Sequence, residues 1–267
     1  MSDKKKKKRE GFWGAYINKK DGAIRGYDIK NPSVKIFCIF IMLICATLVV
    51  ISVFPILWVF LASFKDIREF TRNVTIFPDS FDFSKIKATW DALKFQKYYL
   101  NSFISVAGSV VCAVIFNGLL AYGFAVLKPK GHKIAFGLVM WSLLIPATTS
   151  IVAVFRNINM VGLYRSFVPL WLAFGANAFY VVLFKEFFEE IPTELLEAAK
   201  LDGAGVLTVF TKIMLPLSKP IIMVVIIFSL TAAWSDFLLP YLVLNGSGKE
   251  TVMVKLFAFK DLSLIHI

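Results

Sequence analysis

Cysteine and histidine are scarce, with three and two copies in 267 residues. Cys38, Cys45 and Cys112 all lie inside apolar runs, which excludes a disulfide framework and makes them small apolar helix residues. His132 and His266 have no metal-ligand companions at useful spacing, which argues against a metal centre. Acidic residues are also short, at 18 Asp and Glu against 30 Lys and Arg, for a net charge of +12. In a soluble protein that balance suggests nucleic acid. Here residues 1–35 alone hold eleven Lys and Arg against four acidic residues, and a membrane surface explains such a one-ended excess better. No phosphate loop is present: the only Gly-Lys pair, Gly248-Lys249, runs into Glu250. The stretch Asp202-Gly203-Ala204-Gly205 is too short for a dinucleotide motif. Nothing after the basic arm pairs a short apolar core with a small-residue cleavage site, so the arm does not read as a secretory signal.

Charge itself is missing over long stretches. Hydrophobic residues make up 58% of the chain, including 27 Phe, where soluble domains run nearer about 45–50%. Runs 36–64, 100–127, 134–155 and 166–184 contain no Asp, Glu, Lys or Arg, and run 220–244 contains one, Asp236. Each reaches or approaches the roughly 20 residues that cross about 30 Å of hydrocarbon as a helix. Helix is the expected form, because lipid offers backbone groups no hydrogen-bond partner. The expected fold is an all-α, polytopic integral membrane domain with five spans. No paired carboxylates, Ser–His pair or metal-ligand set falls within those runs, which disfavours an intramembrane enzyme.

With the N-terminus inside, segments 1–35, 128–133 and 185–219 carry eighteen Lys and Arg, and the outer segments 65–99, 156–165 and 245–261 carry twelve. The bias is strongest beside the first run, which usually sets topology, so the N-terminus is expected in the cytoplasm. The last six residues, 262-LSLIHI-267, match the translation of a sequencing-library adapter end. The natural reading frame is therefore expected to be cut near Asp261, with a sixth span missing.

One water-side segment is unusually ordered for a loop. Ile191-Pro192-Thr193-Glu194 looks like a helix start, with Pro in the first turn and an acid at the positive dipole end. Leu195, Ala198, Ala199 and Asp202 are spaced to share one face, thin because of its alanines, and Gly203 suits a helix stop. Val206, Val209, Phe210 and Ile213 then form a second stripe with nothing in the loop to cover it. The segment is expected to be a helix–turn–helix held by something else. Within the spans, Asp236 is costly in lipid and should face a cavity or a partner. With Trp234 and Ser235 it could line a solute path, or it could make a helix contact. Asn177 and Tyr180 are weaker path candidates, since a mid-span Asn also serves helix packing.

Glu197-Ala198-Ala199, three residues, Gly203, nine residues and Ile213-Met214-Leu215-Pro216 resemble the EAA signature, EAA-x3-G-x9-I-x-L-P, of binding-protein-dependent ABC importer permeases. The stretches 55-PILWVFLASFKD-66, 98-YYLNSFISVAGSVV-111, 119-LLAYGFAVLK-128 and 234-WSDFLLP-240 extend the resemblance to the carbohydrate branch, the smaller membrane subunit of maltose-type and glycerol-phosphate-type importers, over residues 34–261. It departs at the C-terminus, where that family has a sixth helix and a cytoplasmic tail. The resemblance implies a multi-pass subunit of a bacterial or archaeal cytoplasmic membrane that imports a sugar, an oligosaccharide by expectation. It implies four kinds of partner: a second homologous permease, two ATPase subunits, an extracytoplasmic binding protein and the sugar. ATP and Mg would be bound by the ATPase, with no cofactor in this chain. It also implies that Glu197, Ala198, Ala199, Asp202, Gly203, Ile213, Leu215 and Pro216 dock the ATPase and transmit its cycle. The alternatives are an ion-coupled secondary transporter, which leaves 197–216 unexplained, and a membrane scaffold without transport.

Overall fold

The computed structural model describes residues 32–72 and 75–265; the basic arm expected over 1–35 lies outside them up to residue 31. The described residues are helical and divide into two compact units at Thr89 and Trp90.

In the first unit, α1 (Pro32–Ala62) is apolar on every side and none of its residues is buried within the chain. Its 31 residues rise about 46 Å at 1.5 Å each, enough to cross a bilayer. Pro55 sits in its interior. After α1, Phe64 is buried and meets Phe60, Phe81 and Phe83 edge-on at 5.5, 5.3 and 5.1 Å. The short α2 (Ile67–Arg72) follows. Lys65 Nζ donates to Thr75 Oγ1 at 2.8 Å, and Glu69 accepts the Asp79 amide at 3.1 Å. Asp82 accepts from the Ser84 amide at 2.9 Å and so starts α3 (Phe83–Ala92). The Ser84 hydroxyl, which donates to Asp82 at 2.6 Å, and the Ser84 amide together depress the exposed Asp82 carboxyl below its usual range.

The second unit is organised on α4 (Phe95–Tyr122), continued by a π turn over Gly123–Leu127 into one membrane-length helix, Phe95–Leu127. Its inward ridge is small and polar: Asn101, Ser105, Ser109, Ala113, Asn117 and Ala121 recur every fourth residue and are all buried. Small side chains let backbones approach closely, which is how helices associate when lipid removes the hydrophobic drive. At Gly108 an added Cβ would stand 2.2 Å from the Trp171 indole, and at Gly175 2.9 Å from Phe116. Against α4 pack α7 (Val168–Gly175), α8 (Ala178–Glu189) and α12 (Lys219–Ser235).

Five spans were expected; among the described residues two helices are long and apolar enough to cross a membrane, or up to four spans if each bent pair is one. Run 36–64 is α1 and run 100–127 lies in the α4 helix. Run 134–155 is instead α5 (His132–Ser142), a turn, a 3₁₀ segment over Ala147–Ser150 and α6 (Ile151–Met160). Pro146, at the start of the 3₁₀ segment, has no amide to continue the α5 ladder. Run 166–184 is α7 and α8, bent by 42°. Run 220–244 is α12 and α13 (Leu238–Leu244), parted at Asp236 and Phe237. The outer segment expected to reach 261 is helical from Val252 onward as α14 (Val252–Ile265), seated on α4 where Ser102 Oγ accepts the Val252 amide at 2.9 Å. Asn101 Nδ2 donates to the Gly248 and Glu250 carbonyls at 3.3 and 3.0 Å. The last two residues of the expected adapter tail lie outside the described residues.

Candidate functional site

The expected helix–turn–helix is present. Its first arm, α9 (Thr193–Leu201), carries Glu194 in the first turn and Lys200 in the last, each matching the dipole end it occupies. Gly203 adopts φ +77°, the left-handed region favoured by glycine. The Gly203 amide donates to the Lys200 carbonyl at 3.0 Å and the Ala204 amide to the Ala199 carbonyl at 2.9 Å. That is the Schellman pattern, which satisfies helix-end carbonyls and reverses the chain. Nothing lies within 4 Å of a Cβ added at Gly203, so the glycine is required by backbone conformation and not by space.

The second arm runs from α10 (Val206–Val209) through a π turn over Phe210–Met214 into α11 (Leu215–Leu217). Its stripe is covered in part by the chain itself, contrary to the sequence expectation: Val209 and Phe210 are buried, Ile213 is half-buried and Val206 is 55% exposed. Val209, Phe210 and Met214 are buried in the core cluster that includes Ala121, Tyr122 and Phe184. Phe210 lies 5.2 Å from the Tyr122 ring, and Tyr122 Oη donates to the Val206 carbonyl at 3.2 Å. Periodicity marked the stripe correctly, but its cover comes from α4, some eighty positions earlier, which inspection of the loop could not supply.

A second correction concerns the alanine pair. Ala199 is 7% exposed and belongs with Leu196 to the same core cluster, whereas Ala198 is exposed. The two alanines therefore divide between faces. The outward face holds Glu197, Ala198 and Asp202, joined by Leu201 at 89% and Leu207 at 68% exposure. Ile213 and Leu215 are half-buried and Pro216 is exposed. Sequence reasoning missed Leu201 and Leu207; their signal was an apolar residue off the buried stripe, on either side of a glycine turn. An acidic rim around apolar side chains can receive an apolar cleft bordered by basic groups.

The proposed path residues lie on two spans, Asn177 and Tyr180 at the start of α8 and Trp234 and Asp236 at the end of α12. Tyr180 is 4% exposed, inside the core cluster and not on an open surface. Asn177 caps α8: its Oδ1 accepts the Phe179 and Tyr180 amides at 3.0 and 3.3 Å. Asp236 lies at the other break, where its amide closes α12 by donating to the Ala232 carbonyl at 2.9 Å just before α13 begins. Each broken span thus has a polar residue at its joint, and at the α7–α8 joint the Asn177 side chain satisfies amides that a continuous helix would have used. Trp234, at the end of α12, is partly exposed and lies 6.1 Å from Tyr99, which stacks on Trp90 at 5.3 Å. Sequence reasoning also missed Asn117. Fully buried on α4, it donates to the Phe174 carbonyl at 2.9 Å and accepts the Asn177 amide at 2.9 Å, spanning the α7–α8 bend.

A family profile for binding-protein-dependent transport system inner membrane components matches residues 35–265. A diacetylchitobiose uptake system permease protein of Streptomyces coelicolor is 31% identical over 77% of this chain and 68% of its own length. A galactooligosaccharides transport system permease protein of Bacillus subtilis is 32% identical over 82% of this chain and 79% of its own. An sn-glycerol-3-phosphate transport system permease protein of Yersinia pestis is 30% identical over the same shares, 82% and 79%. The fold matches a crystal structure of a bacterial ABC transporter involved in import of the acidic polysaccharide alginate, with a TM-score of 0.74 at 22% identity over 85% of this chain and 80% of that one. The chain belongs to the family of binding-protein-dependent transport system inner membrane components: it is a membrane-embedded permease subunit that works with other ABC components and a substrate-binding protein, and not an enzyme.

Proposed function

We propose that this chain is half of the translocation path of an ATP-driven sugar importer, paired with a second homologous permease and moved by two ATPase subunits. The observation that carries the reading is the family match over residues 35–265, with relatives named for diacetylchitobiose and galactooligosaccharides. An oligosaccharide is the substrate class those names favour. The outward face of the α9–α10 hairpin is the handle: Glu197, Ala198, Leu201, Asp202 and Leu207 enter an ATPase cleft, while Ala199, Phe210 and Met214 root the hairpin in the permease core. Closure of the nucleotide-bound ATPase then shifts the hairpin and, through that root, α4 and α8. A ligand moves such an equilibrium only by binding one state better than the other, and the half-buried hairpin gives the ATPase a lever with contacts on both sides. ATP and Mg belong to the ATPase. The N-terminal arm and the hairpin lie on the cytoplasmic side, in line with the Lys and Arg bias.

The test is reconstitution of the full transporter in vesicles with Glu197→Lys or Ala198→Arg. Both reach the membrane in normal amounts, yet ATPase co-purification and sugar uptake fall at least about tenfold, since reversing or adding a charge at a desolvated contact costs several kcal/mol. Uptake at the unmodified rate by both variants refutes the docking role. Undiminished uptake after deletion of the ATPase subunits favours the ion-coupled alternative instead.

A further inference from the structure

A cavity of about 440 Å³ opens beside the end of the membrane-length helix Phe95–Leu127, between the π turn, the start of α5 and the end of α8. Its walls are Phe124 and Phe136, whose rings meet edge-on at 5.6 Å, and its polar lining is Lys128, His132, Lys133, Lys185 and Glu189. The charges do not cancel. Glu189 is already matched by Lys185, whose Nζ stands 2.7 Å from it, 3.3 Å from Glu186 and 4.7 Å from the Phe136 ring centroid. Among the described residues, no ion pair involves Lys128 or Lys133. Two uncompensated ammonium groups thus face a pocket with an aromatic wall. Leu127, Ile134 and Leu138, next to it in sequence, are exposed and apolar.

We propose that this cavity seats the phosphate headgroup of an anionic phospholipid, held by Lys128 and Lys133, with the acyl chains meeting exposed apolar side chains of the same helices. Its depth selects the occupant. Lys128 is the first residue beyond a helix long enough to cross the hydrocarbon, the level at which bilayer phosphates lie. Basic pockets at the ends of membrane helices suit anionic headgroups on electrostatic grounds. Leu127, Ile134 and Leu138, exposed and apolar on the segments that supply the cavity lining, offer acyl chains the contact that a free anion does not need. The pre-paired Lys185–Glu189 couple keeps Lys185 oriented over Phe136 and leaves the other two lysines for the ligand. The inference needs only a membrane-embedded chain, so it stands or falls separately from the sugar-import reading.

The experiment uses the detergent-purified transporter, exposed to phosphatidylglycerol or phosphatidylcholine and examined by native mass spectrometry. Phosphatidylglycerol is retained in preference to phosphatidylcholine. Lys128→Gln with Lys133→Gln lowers that retention by up to about 25-fold, at roughly fivefold per lysine, and by at least about threefold in salt. Lys128→Arg with Lys133→Arg keeps it, which separates charge from loss of fold, and Lys87→Gln with Arg156→Gln, elsewhere in the chain, leaves it unchanged. Equal retention of both lipids, or undiminished phosphatidylglycerol on the double Gln variant, overturns the proposal. So does full displacement by millimolar inorganic phosphate, which would make this a site for the free anion.

Discussion

Replacing Asn117 by Ala tests the reading of the bent α7–α8 span most directly. The bend at residues 176–177 takes the Phe174 carbonyl and the Asn177 amide out of the helical ladder, and Asn117 is bonded to both at 2.9 Å. A third bond, from Nδ2 to the Ala113 carbonyl at 2.7 Å, lies within its own helix and orients the amide. Leaving a buried donor or acceptor unpaired costs about 1–3 kcal/mol, whereas single interhelical bonds in membrane proteins have averaged about 0.6 and reached about 1.7 kcal/mol. Two such bonds lost together therefore cost roughly 2 kcal/mol. For a unit of this size that lowers the apparent melting midpoint by about 4–8 °C. Cys112 supplies a local readout: its Cβ is 3.4 Å from where a Cβ on Gly175 would stand, so it reports the α4–α7 contact. With Cys38 and Cys45 replaced by Ser, Asn117→Ala should speed maleimide labelling of Cys112 below the melting range. The control is Asn159→Ala, an exposed asparagine whose 2.9 Å bond to Phe155 stays within its own helix. Equal midpoints and equal Cys112 labelling in Asn117→Ala and the unmodified protein would refute the bridging role.

Other expectations follow from the same geometry. Gly108→Ala places a Cβ 2.2 Å from the Trp171 indole; overpacking of this kind costs about 1–3 kcal/mol, and adding Trp171→Phe should restore part of the lost thermal midpoint. Ala199→Leu, inside the core cluster, should lower stability in detergent before any partner is added, while Ala198→Leu should leave the midpoint within about 1 °C and weaken ATPase co-purification. If Asp236 meets the substrate, Asp236→Asn changes the sugar dependence of ATPase stimulation; an unchanged dependence removes it from the path and leaves it at the α12–α13 break. The cap on α3 weakens in acid: the Asp82 carboxyl is depressed in the folded state, so the cap is complete above the usual carboxylate range and is lost as pH falls through the folded value. Amide exchange at Ser84 in Asp82→Ala, compared with the unmodified protein at neutral pH, reads the same loss.

The amino-acid sequence by itself determined that the chain lives in a membrane, where its long uncharged runs lie, and which loop is the hairpin. Composition forces the first, since more than half the residues are apolar and whole runs of twenty or more carry no charge. Local chemistry forces the last, because Gly203 alone offers the left-handed turn at that point and the helix signals flank it. What only the tertiary structure decided is which side of each helix faces protein. In water a buried face is the apolar one, but lipid accepts apolar side chains as readily as a core does, so that contrast vanishes. Thus α1 is apolar all round and buries nothing within the chain, while α4 buries Asn101, Ser105, Ser109 and Asn117. The same blindness hid the breaks: neither the α7–α8 bend at Asn177, whose side chain caps α8, nor the α12–α13 break at Asp236 was marked by hydrophobicity. In α9 it hid the division between Ala198 and Ala199, set by where α9 packs on the core and not by either residue. Hydrophobic patterning carries information about burial only against a polar solvent, and across the bilayer that solvent is absent.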